Sequence, residues 1–318
     1  MLSNSGERLC LVCNQTYPGD QLSCPSDKTP LIAIFDHHKE ADSVPGYALL
    51  DLAGRGASSK VYKGQHIETG KIVAIKILHQ TLATSLDLVR RFKKEAELSS
   101  RLSSPHTVAL NNFGLLSDGR PYMVMEHIDG VPAHLAVTKP EKFSLQRALP
   151  IFIQIADGLA HAHDIGIVHR DIKPSNIMLL EAHGMRDFVK IVDFGIAKMW
   201  SHDSSMVLTR EGEAVGSPMY MSPEQCMGTT VDQRTDIYSL GCLMYEMLTG
   251  RLIFTAEDPM KLMGKHISEM PPPMALSDSP ASLEMERIVT KALAKNPKNR
   301  HVRAMQLKFE LQAVLCSL

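Results

Sequence analysis

The chain has little net charge, no long apolar run and few cysteines, and each shortage removes a class of function. Its 318 residues carry 34 basic and 35 acidic side chains, a formal net charge of −1. Bulk charge therefore offers no argument for a nucleic-acid or anionic-membrane partner. No apolar run approaches the ~18 residues needed to cross a bilayer, and the N-terminus lacks the basic stretch and apolar core of a secretory leader. Internal repeats and low-complexity tracts are missing as well. The expectation is a soluble, cytoplasmic protein, although a chain that had lost a distal membrane anchor would carry the same pattern. What is present is ordinary globular composition, 44% hydrophobic and 22% charged, with length enough for two or more compact units and a large core.

The six cysteines are distributed unevenly: Cys10, Cys13 and Cys24 stand at the start, whereas Cys226, Cys242 and Cys316 are isolated. The later three read as small buried hydrophobes. Residues 1–32 form a Cys-rich head, "LCLVCNQTYPGDQLSCPSDKTPLI", too short to hold an apolar core without a staple. Cys10 and Cys13 have C-x-x-C knuckle spacing, and "CPSD" puts Asp27 where a fourth cysteine would complete a ribbon. The head resembles half of a zinc-ribbon element. Zn2+ accepts carboxylate oxygen as well as thiolate, so Cys10, Cys13, Cys24 and Asp27 are a candidate structural zinc set. His37 or His38 as fourth ligand, a disulfide and free thiols stay open. Such a head would dock a protein partner or the neighbouring unit rather than catalyse, and it lacks the basic cluster of a nucleic-acid reader. Residues 33–46, closed by Pro45-Gly46, read as a linker.

From Tyr47 the pattern changes. "YALLDLAGRGASSKVYKGQH" and "KIVAIKILH" carry β-branched and apolar residues around glycine turns, as antiparallel strands do. "LDLVRRFKKEAELSSRL" repeats Leu88, Phe92, Ala96, Ser99 and Leu102 near helical spacing, with a basic opposite face. That face reads as solvated, an interaction patch being the alternative. After the strand "PYMVMEHIDG" come long periodic segments, "SLQRALPIFIQIADGLAHAHDIG", "DQRTDIYSLGCLMYEMLTG" and "SLEMERIVTKALAKNPKNR", and a last helix through Leu311. A strand-rich small unit followed by a helical large one implies a cleft between them.

Several motifs bear chemistry. "GRGASSKV" sets Gly54 and Gly56 between strands, where backbone amides can approach phosphate oxygens; a bland hairpin turn is the alternative. No Gly-Lys-Ser/Thr follows, which excludes a Walker A loop, and no helix follows, which excludes a dinucleotide fingerprint. "VAIK" puts the Lys76 ammonium in an apolar strand, where it needs an anion such as Glu95 unless it lies on a solvated edge. In "VHRDIKPSNIMLL" the spacing lets Asp171 accept a hydroxyl proton, Lys173 neutralise a moving phosphate and Asn176 offer oxygen to a hard cation. "IVDFGIAK" ends an apolar strand with Asp193, a carboxylate suited to Mg2+.

Taken in order, the Gly-rich loop, "VAIK", the helical Glu, "HRDIKPSN", "DFG", "SPE" and "DIYSLG" resemble the protein-kinase signature set over residues 47–313, most of all the bacterial eukaryotic-like Ser/Thr kinases. The resemblance implies an α+β bilobal fold, a β-rich N-lobe at 47–126 and a helical C-lobe at 129–313, with the zinc-ribbon-like head before it. It implies ATP with Mg2+ or Mn2+ and γ-phosphoryl transfer to protein hydroxyls. By the same resemblance Lys76 clamps the α- and β-phosphates, held by Glu95; Asp171 is the base and Lys173 the charge partner; Asn176 and Asp193 ligate the metal. Leu52, Ala53, Gly54, Arg55, Gly56, Ala57, Ser58, Ser59, Lys60 and Val61 would cover the nucleotide. Ser59 stands where the third glycine is usual. Val61, Ala74 and Met178 would sandwich adenine, with Met125 as gatekeeper and the backbones of Glu126 and Ile128 facing the base. His169 and Phe194 would stack in a spine anchored by Asp236, and Glu224 would pair with Arg300 in a buried bridge.

Lys173 resembles the Ser/Thr class, with Ser217 where a threonine is usual. Arg170 resembles the arginine that pairs with a phosphorylated activation loop. Among Ser201, Ser204, Ser205, Thr209 and Ser217, Thr209 is the expected autophosphorylation site, the alternative being that these hydroxyls only solvate a mobile loop. Protein substrates are the expected partners, and a dimer is compatible with the pattern. A catalytically silent nucleotide-binding scaffold is the competing reading; intact Asp171, Asn176 and Asp193 speak for the enzyme.

Overall fold

The computed structural model describes residues 8–9, 16–17, 21, 24–25, 32–33, 43–56, 59–80, 86–137, 143–194 and 218–318. In the head, three two-residue strands, β1 (Arg8–Leu9), β2 (Thr16–Tyr17) and β3 (Ile32–Ala33), pair antiparallel in the order β2-β1-β3. Because Leu9 pairs with Ile32 and Arg8 with Ala33, β3 crosses the boundary between head and linker drawn at 32/33. Cys24 is buried, its sulfur 3.4 Å from the Tyr17 hydroxyl. The zinc expectation gains no support: among the described residues no three or more His, Cys, Asp or Glu side chains gather as a metal site. Cys10, Cys13, Asp27, His37 and His38 lie outside the described residues.

The small lobe is a five-stranded antiparallel sheet in the order β4-β5-β6-β8-β7. Its strands are β4 (Tyr47–Arg55), β5 (Ser59–His66), β6 (Ile72–Leu78), β7 (Leu110–Leu115) and β8 (Pro121–Glu126). Strand alternation decides its two faces. Tyr62, Val73, Ile75, Ile77, Tyr122 and Val124 pack on one side with Val44 and Leu116. The pairings Val61–Lys76–Met123 and Lys63–Ala74–Met125 put those six side chains on the other. Helix α1 (Leu86–Ser99) covers part of this second face, Phe92 and Ala96 burying against Leu78 and Met123. Leu102, expected on that helix, lies beyond its end and packs into the large-lobe core.

In the large lobe a second sheet, β11-β10-β9, is built from β9 (Gly130–Pro132), β10 (Ile177–Ala182) and β11 (Met185–Ile191). Gly130 is required here by close approach, since a Cβ would stand 2.6 Å from the Leu179 carbonyl oxygen. A short helix α2 (Ala133–Val137) follows β9. Helix α3 (Leu145–Asp164) is capped by Ser144 and tied to β11 through Gln154, whose amide accepts from Val189 N at 2.9 Å and donates to Asp187 O at 3.2 Å. After the short α4 (Pro223–Cys226) comes α5 (Arg234–Thr249), buried on nearly every side and stopped by Gly250 in the left-handed region at φ 70°. Helices α6 (Pro259–Ser268), α7 (Pro280–Ala292) and α8 (Ala304–Cys316) complete it. The last helix runs past both Leu311 and the boundary at 313, because Val314 still packs in the core. It leaves Cys316 exposed and Cys226 is only partly covered, so of the three later cysteines only Cys242 is a buried hydrophobe. No described helix is long and apolar enough to cross a membrane.

Candidate active site

Apolar alternation in β6 carries Lys76 to the face covered by α1, and helical spacing puts Glu95 three residues beyond Phe92, on the side that packs against the sheet. The Lys76 ammonium lies 2.9 Å from Glu95 Oε1 and 2.9 Å from Asp193 Oδ1. Burial alone would lower the Lys76 pKa, but Asp193 and Glu95 outweigh it and hold the ammonium above its ordinary value. Burial raises the Glu95 carboxyl, with Lys76 opposing. Lys76 holds Asp193 below the carboxylate range, although nearly half of the Asp193 side chain, 47%, is open.

Asp193 follows the end of β11. Ile177 pairs with Ile191, and Val192 N donates to Asn176 O at 2.9 Å. Asn176 and Asp193 are therefore neighbours at the same end of a two-stranded ladder. Asp193 has φ 54°, a left-handed conformation that non-glycine residues adopt at a cost of ~1–3 kcal/mol. The fold holds it there by pairing the strand up to Ile191 and burying Phe194 against the His169 ring, centroids 4.5 Å apart.

The segment between α3 and β10 is held from beneath. Asp236, in the first turn of α5 where the helix dipole favours an anion, is fully buried. It accepts from His169 N at 2.8 Å, Arg170 N at 2.7 Å and His163 Nε2 at 2.8 Å. Burial would raise its pKa; the hydrogen bond and charge of His163 and the Arg170 amide lower it. Arg170 has φ 65°, and its carbonyl accepts from Gln225 of α4 at 2.9 Å. Asp171 N donates to His169 Nδ1 at 3.2 Å, so His169 Nε2 carries the proton given to Val192 O at 3.2 Å. Burial lowers the His169 pKa, consistent with that neutral ring.

Above this base Asp171 and Lys173 meet at 2.9 Å. The Asn176 amide nitrogen donates to Asp171 O at 2.8 Å and Oδ2 at 3.2 Å, which commits its NH2 end and leaves Oδ1 as the end available to a cation. The structure thus gathers Lys76, Glu95 and Asp193 in one chain, and Asp171, Lys173 and Asn176 in another. Ladder pairing next to Asn176 brings the two together.

Val61, Ala74 and Met125 share one sheet face and are each partly covered, while Met178 stands on β10 in the other lobe. Glu126 N donates to Ala109 O at 2.9 Å, and Ile128 is partly buried. At the Gly-rich turn, Gly56 N donates to Ser59 O at 2.8 Å. Ser59 is buried in β5, and Leu52, Ala53, Arg55 and Lys60 line the same hairpin. Ala57 and Ser58 lie outside the described residues, as do 195–217 with Ser201, Ser204, Ser205, Thr209 and Ser217.

Sequence reasoning missed three positions, Lys190, His163 and Gln225. Glu126 Oε1 accepts from Lys190 at 2.6 Å and from Ala109 N at 3.1 Å, clamping the segment between the lobes to β11. His163 supports Asp236 and Gln225 supports Arg170. The first pair could have been found as a lysine in an apolar strand needing an anion, the argument applied to Lys76. Glu224 and Arg300 do pair, buried, at 2.7 and 2.8 Å.

Residues 47–309 match the family model described as protein kinase domain. Among curated proteins the chain is 38% identical over 271 residues to the serine/threonine-protein kinase pkn3 of Myxococcus xanthus, covering 84% of this chain and 50% of that one. It is 35% identical to the serine/threonine-protein kinase PknB of Mycobacterium tuberculosis, covering 84% of this chain and 42% of that one. The chain therefore spans half or less of the length of these relatives. Among solved structures it is similar to the kinase domain of Mycobacterium tuberculosis PknI, with TM-score 0.65, 25% identity, and coverage of 86% of this chain and 97% of that one.

Proposed function

The chain belongs to the protein kinase family, and from that premise we propose that it transfers the γ-phosphoryl group of ATP to serine or threonine hydroxyls of proteins. The unit responsible is residues 47–313, with lobes at 47–126 and 129–313. Its most telling support is the placement of Lys76 between Glu95 and Asp193, three groups from separate elements of both lobes.

The residues present fit a nucleotide with a hard cation. Among the described residues, chain neighbours aside, no atom lies within 4 Å of the place a Cβ would take at Gly54, so their packing does not demand that glycine, whereas close approach of phosphates to the turn would. Asn176 Oδ1 and the half-open Asp193 carboxylate are oxygen donors of the kind Mg2+ selects. When bound, the cation neutralises charge on the nucleotide's terminal phosphates. Lys76 holds the α- and β-phosphates while Glu95 fixes its position. Val61, Ala74 and Met178 enclose the base, and the Glu126 carbonyl and Ile128 amide read its edge.

Asp171 orients the attacking hydroxyl and takes its proton. Lys173, 2.9 Å away, follows the charge as it develops on the phosphoryl oxygens. The backbone bonds from Asp236 hold this segment before substrate arrives, so little reorganisation is left for the reaction.

Lys173 supports the Ser/Thr class. Arg170, a partly buried guanidinium whose Nε has no hydrogen-bond partner among the described residues, supports Thr209 as the autophosphorylation site through a new Arg–phosphate pair. Incubation with radiolabelled ATP and Mg2+ tests both statements. The parent should label itself and a generic acceptor protein, Asp171→Asn should lower the rate ~10³-fold, and the phosphate should map to Thr209. Equal background labelling of parent and variant would favour a silent scaffold. Label on other hydroxyls with Thr209 bare would remove that assignment alone. For the head, the spacing of Cys10, Cys13, Cys24 and Asp27 supports Zn2+, and purified chain without zinc would end that proposal.

A further inference from the structure

The peptide unit between Arg170 and Asp171 is held at both ends. Its N–H, that of Asp171, donates to His169 Nδ1 at 3.2 Å, and its carbonyl, that of Arg170, accepts from Gln225 Nε2 at 2.9 Å. A peptide unit is planar, so fixing its N–H and its oxygen fixes how it is rotated. That rotation sets ψ of Arg170 and φ of Asp171, the angles that decide where the Asp171 carboxylate points. The hold is needed because Arg170 stands at φ 65°, a left-handed conformation that a non-glycine residue leaves when its restraints are removed.

The two ends of this unit answer to different parts of the large lobe. His169 is fully buried against Phe194, and its amide rests on Asp236 of α5. Gln225 belongs to α4, whose seat comes from other contacts. Arg300 takes both oxygens of Glu224, Thr235 donates to the same carboxylate at 2.7 Å, and Ser239 donates to Tyr220 O at 2.8 Å. In the chain, α4 closes the stretch that begins at Asp193 and carries Thr209 and Ser217. One hydrogen bond from Gln225 therefore joins the end of that stretch to the backbone of the catalytic base.

The residue type at 225 carries the inference further. Gln225 closes a capping box with Ser222: its Oε1 accepts from Ser222 N at 3.0 Å, and the Ser222 hydroxyl accepts from Gln225 N at 3.4 Å. Glutamate serves such a box as well as glutamine does, and the helix dipole favours the glutamate. Only glutamine has an NH2 left over, and here it goes to Arg170 O. We propose that Gln225 is a positioning residue for phosphoryl transfer, holding the Arg170–Asp171 peptide so that the Asp171 carboxylate faces the attacking hydroxyl. The inference rests on the kinase reading and adds to it a dependence of the base on the seating of α4.

Gln225→Glu separates this role from capping. It keeps the side-chain length and the acceptor for Ser222 N, and it removes the donor to Arg170 O. The single-turnover rate of transfer from ATP and Mg2+ to a generic acceptor protein should fall about tenfold, the order of one part-buried hydrogen bond lost beside the reacting group. ATP binding, measured directly, should stay within about twofold of the parent, because a residue acting only on the transfer step leaves ground-state binding in place. The urea midpoint should hold. In the 15N-labelled chain the Asp171 amide resonance should move while those of α7 stay. Gln225→Ala loses the cap acceptor as well, so it should lower both the transfer rate and the urea midpoint. Transfer by Gln225→Glu equal to the parent's, or an unmoved Asp171 amide, would overturn the proposal. So would a parallel loss of transfer, ATP affinity and urea midpoint in that variant, the mark of a merely structural role. A parent that transfers nothing would sink the kinase reading and this inference with it, whereas a parent that transfers while the Glu variant matches it would sink this inference alone.

Discussion

In the small lobe Lys76 divides its ammonium between one oxygen of Glu95 and one of Asp193, each at 2.9 Å. In the large lobe Arg300 takes both oxygens of Glu224, at 2.7 and 2.8 Å, and spends its remaining donors on the carbonyls of Ala294, Arg234 and Lys295 at 2.7, 3.0 and 3.1 Å. Thr235 adds a further bond to Glu224 at 2.7 Å. Lys76 and Glu95, like Arg300 and Glu224, are shielded from water, whereas nearly half of the Asp193 side chain is open. Arg300 is a rigid fork with its donors engaged, so it has no capacity for a new partner. Lys76 is a point charge that can exchange one oxygen for another without breaking a planar array. The saturated pair suits a scaffold, and the unsaturated one suits a site where phosphate oxygens arrive and leave.

The sharpest way to break that contrast is to neutralise the open end of the small-lobe chain. Asp193→Asn should lower phosphoryl transfer ~10³-fold while the urea midpoint moves little, because Glu95 still holds Lys76; equal transfer by variant and parent would erase the distinction. Next, Arg300→Lys keeps the charge and removes the fork. It should cost about 3 kcal/mol of stability in urea unfolding, and a cost below about 1 kcal/mol would place this pair with ordinary surface bridges.

A third measurement uses acid. Burial would raise the Glu310 pKa, but hydrogen bonds from Lys291 and Arg287 and the charge of His301 bring it from 4.5 to about 2. A carboxyl depressed on folding adds stability above its unfolded pKa and loses it as pH falls toward the folded one. The urea midpoint should therefore drop between pH 4.5 and about 2, and Glu310→Gln should flatten that part of the slope; an unchanged slope would contradict the network. The smallest effect belongs to Glu97, whose pairing with Lys94 at 3.5 Å is solvent-exposed. Glu97→Ala should move stability by no more than ~0.5 kcal/mol and leave transfer intact. Glu95→Gln, two residues away on the same helix, should lower transfer, and equal effects would show that helix integrity, not the Lys76 contact, is what matters.

Much of this site could be read in advance because its chemistry is local. An ammonium in the apolar strand "VAIK" demanded an anion, and Glu95, 19 residues on, lay on a helix of readable period. The second partner, Asp193, is 117 residues from Lys76, and no periodicity links them; only the ordered series of motifs did. Where a local period ran past the end of its element, or no motif spoke, the reading failed. Leu102 matched the helical spacing of α1, yet the chain turned at Ser100 and sent it to the other lobe's core. Cys316 looked like a small hydrophobe and landed on the outward side of α8.

The sequence by itself determined the reacting groups, their order and the two kinds of lobe, since strand and helix periods and the cost of a buried charge act over a few residues. Tertiary structure alone decided which charges are saturated and which stay open, because burial and the number of available donors depend on segments far apart in the chain.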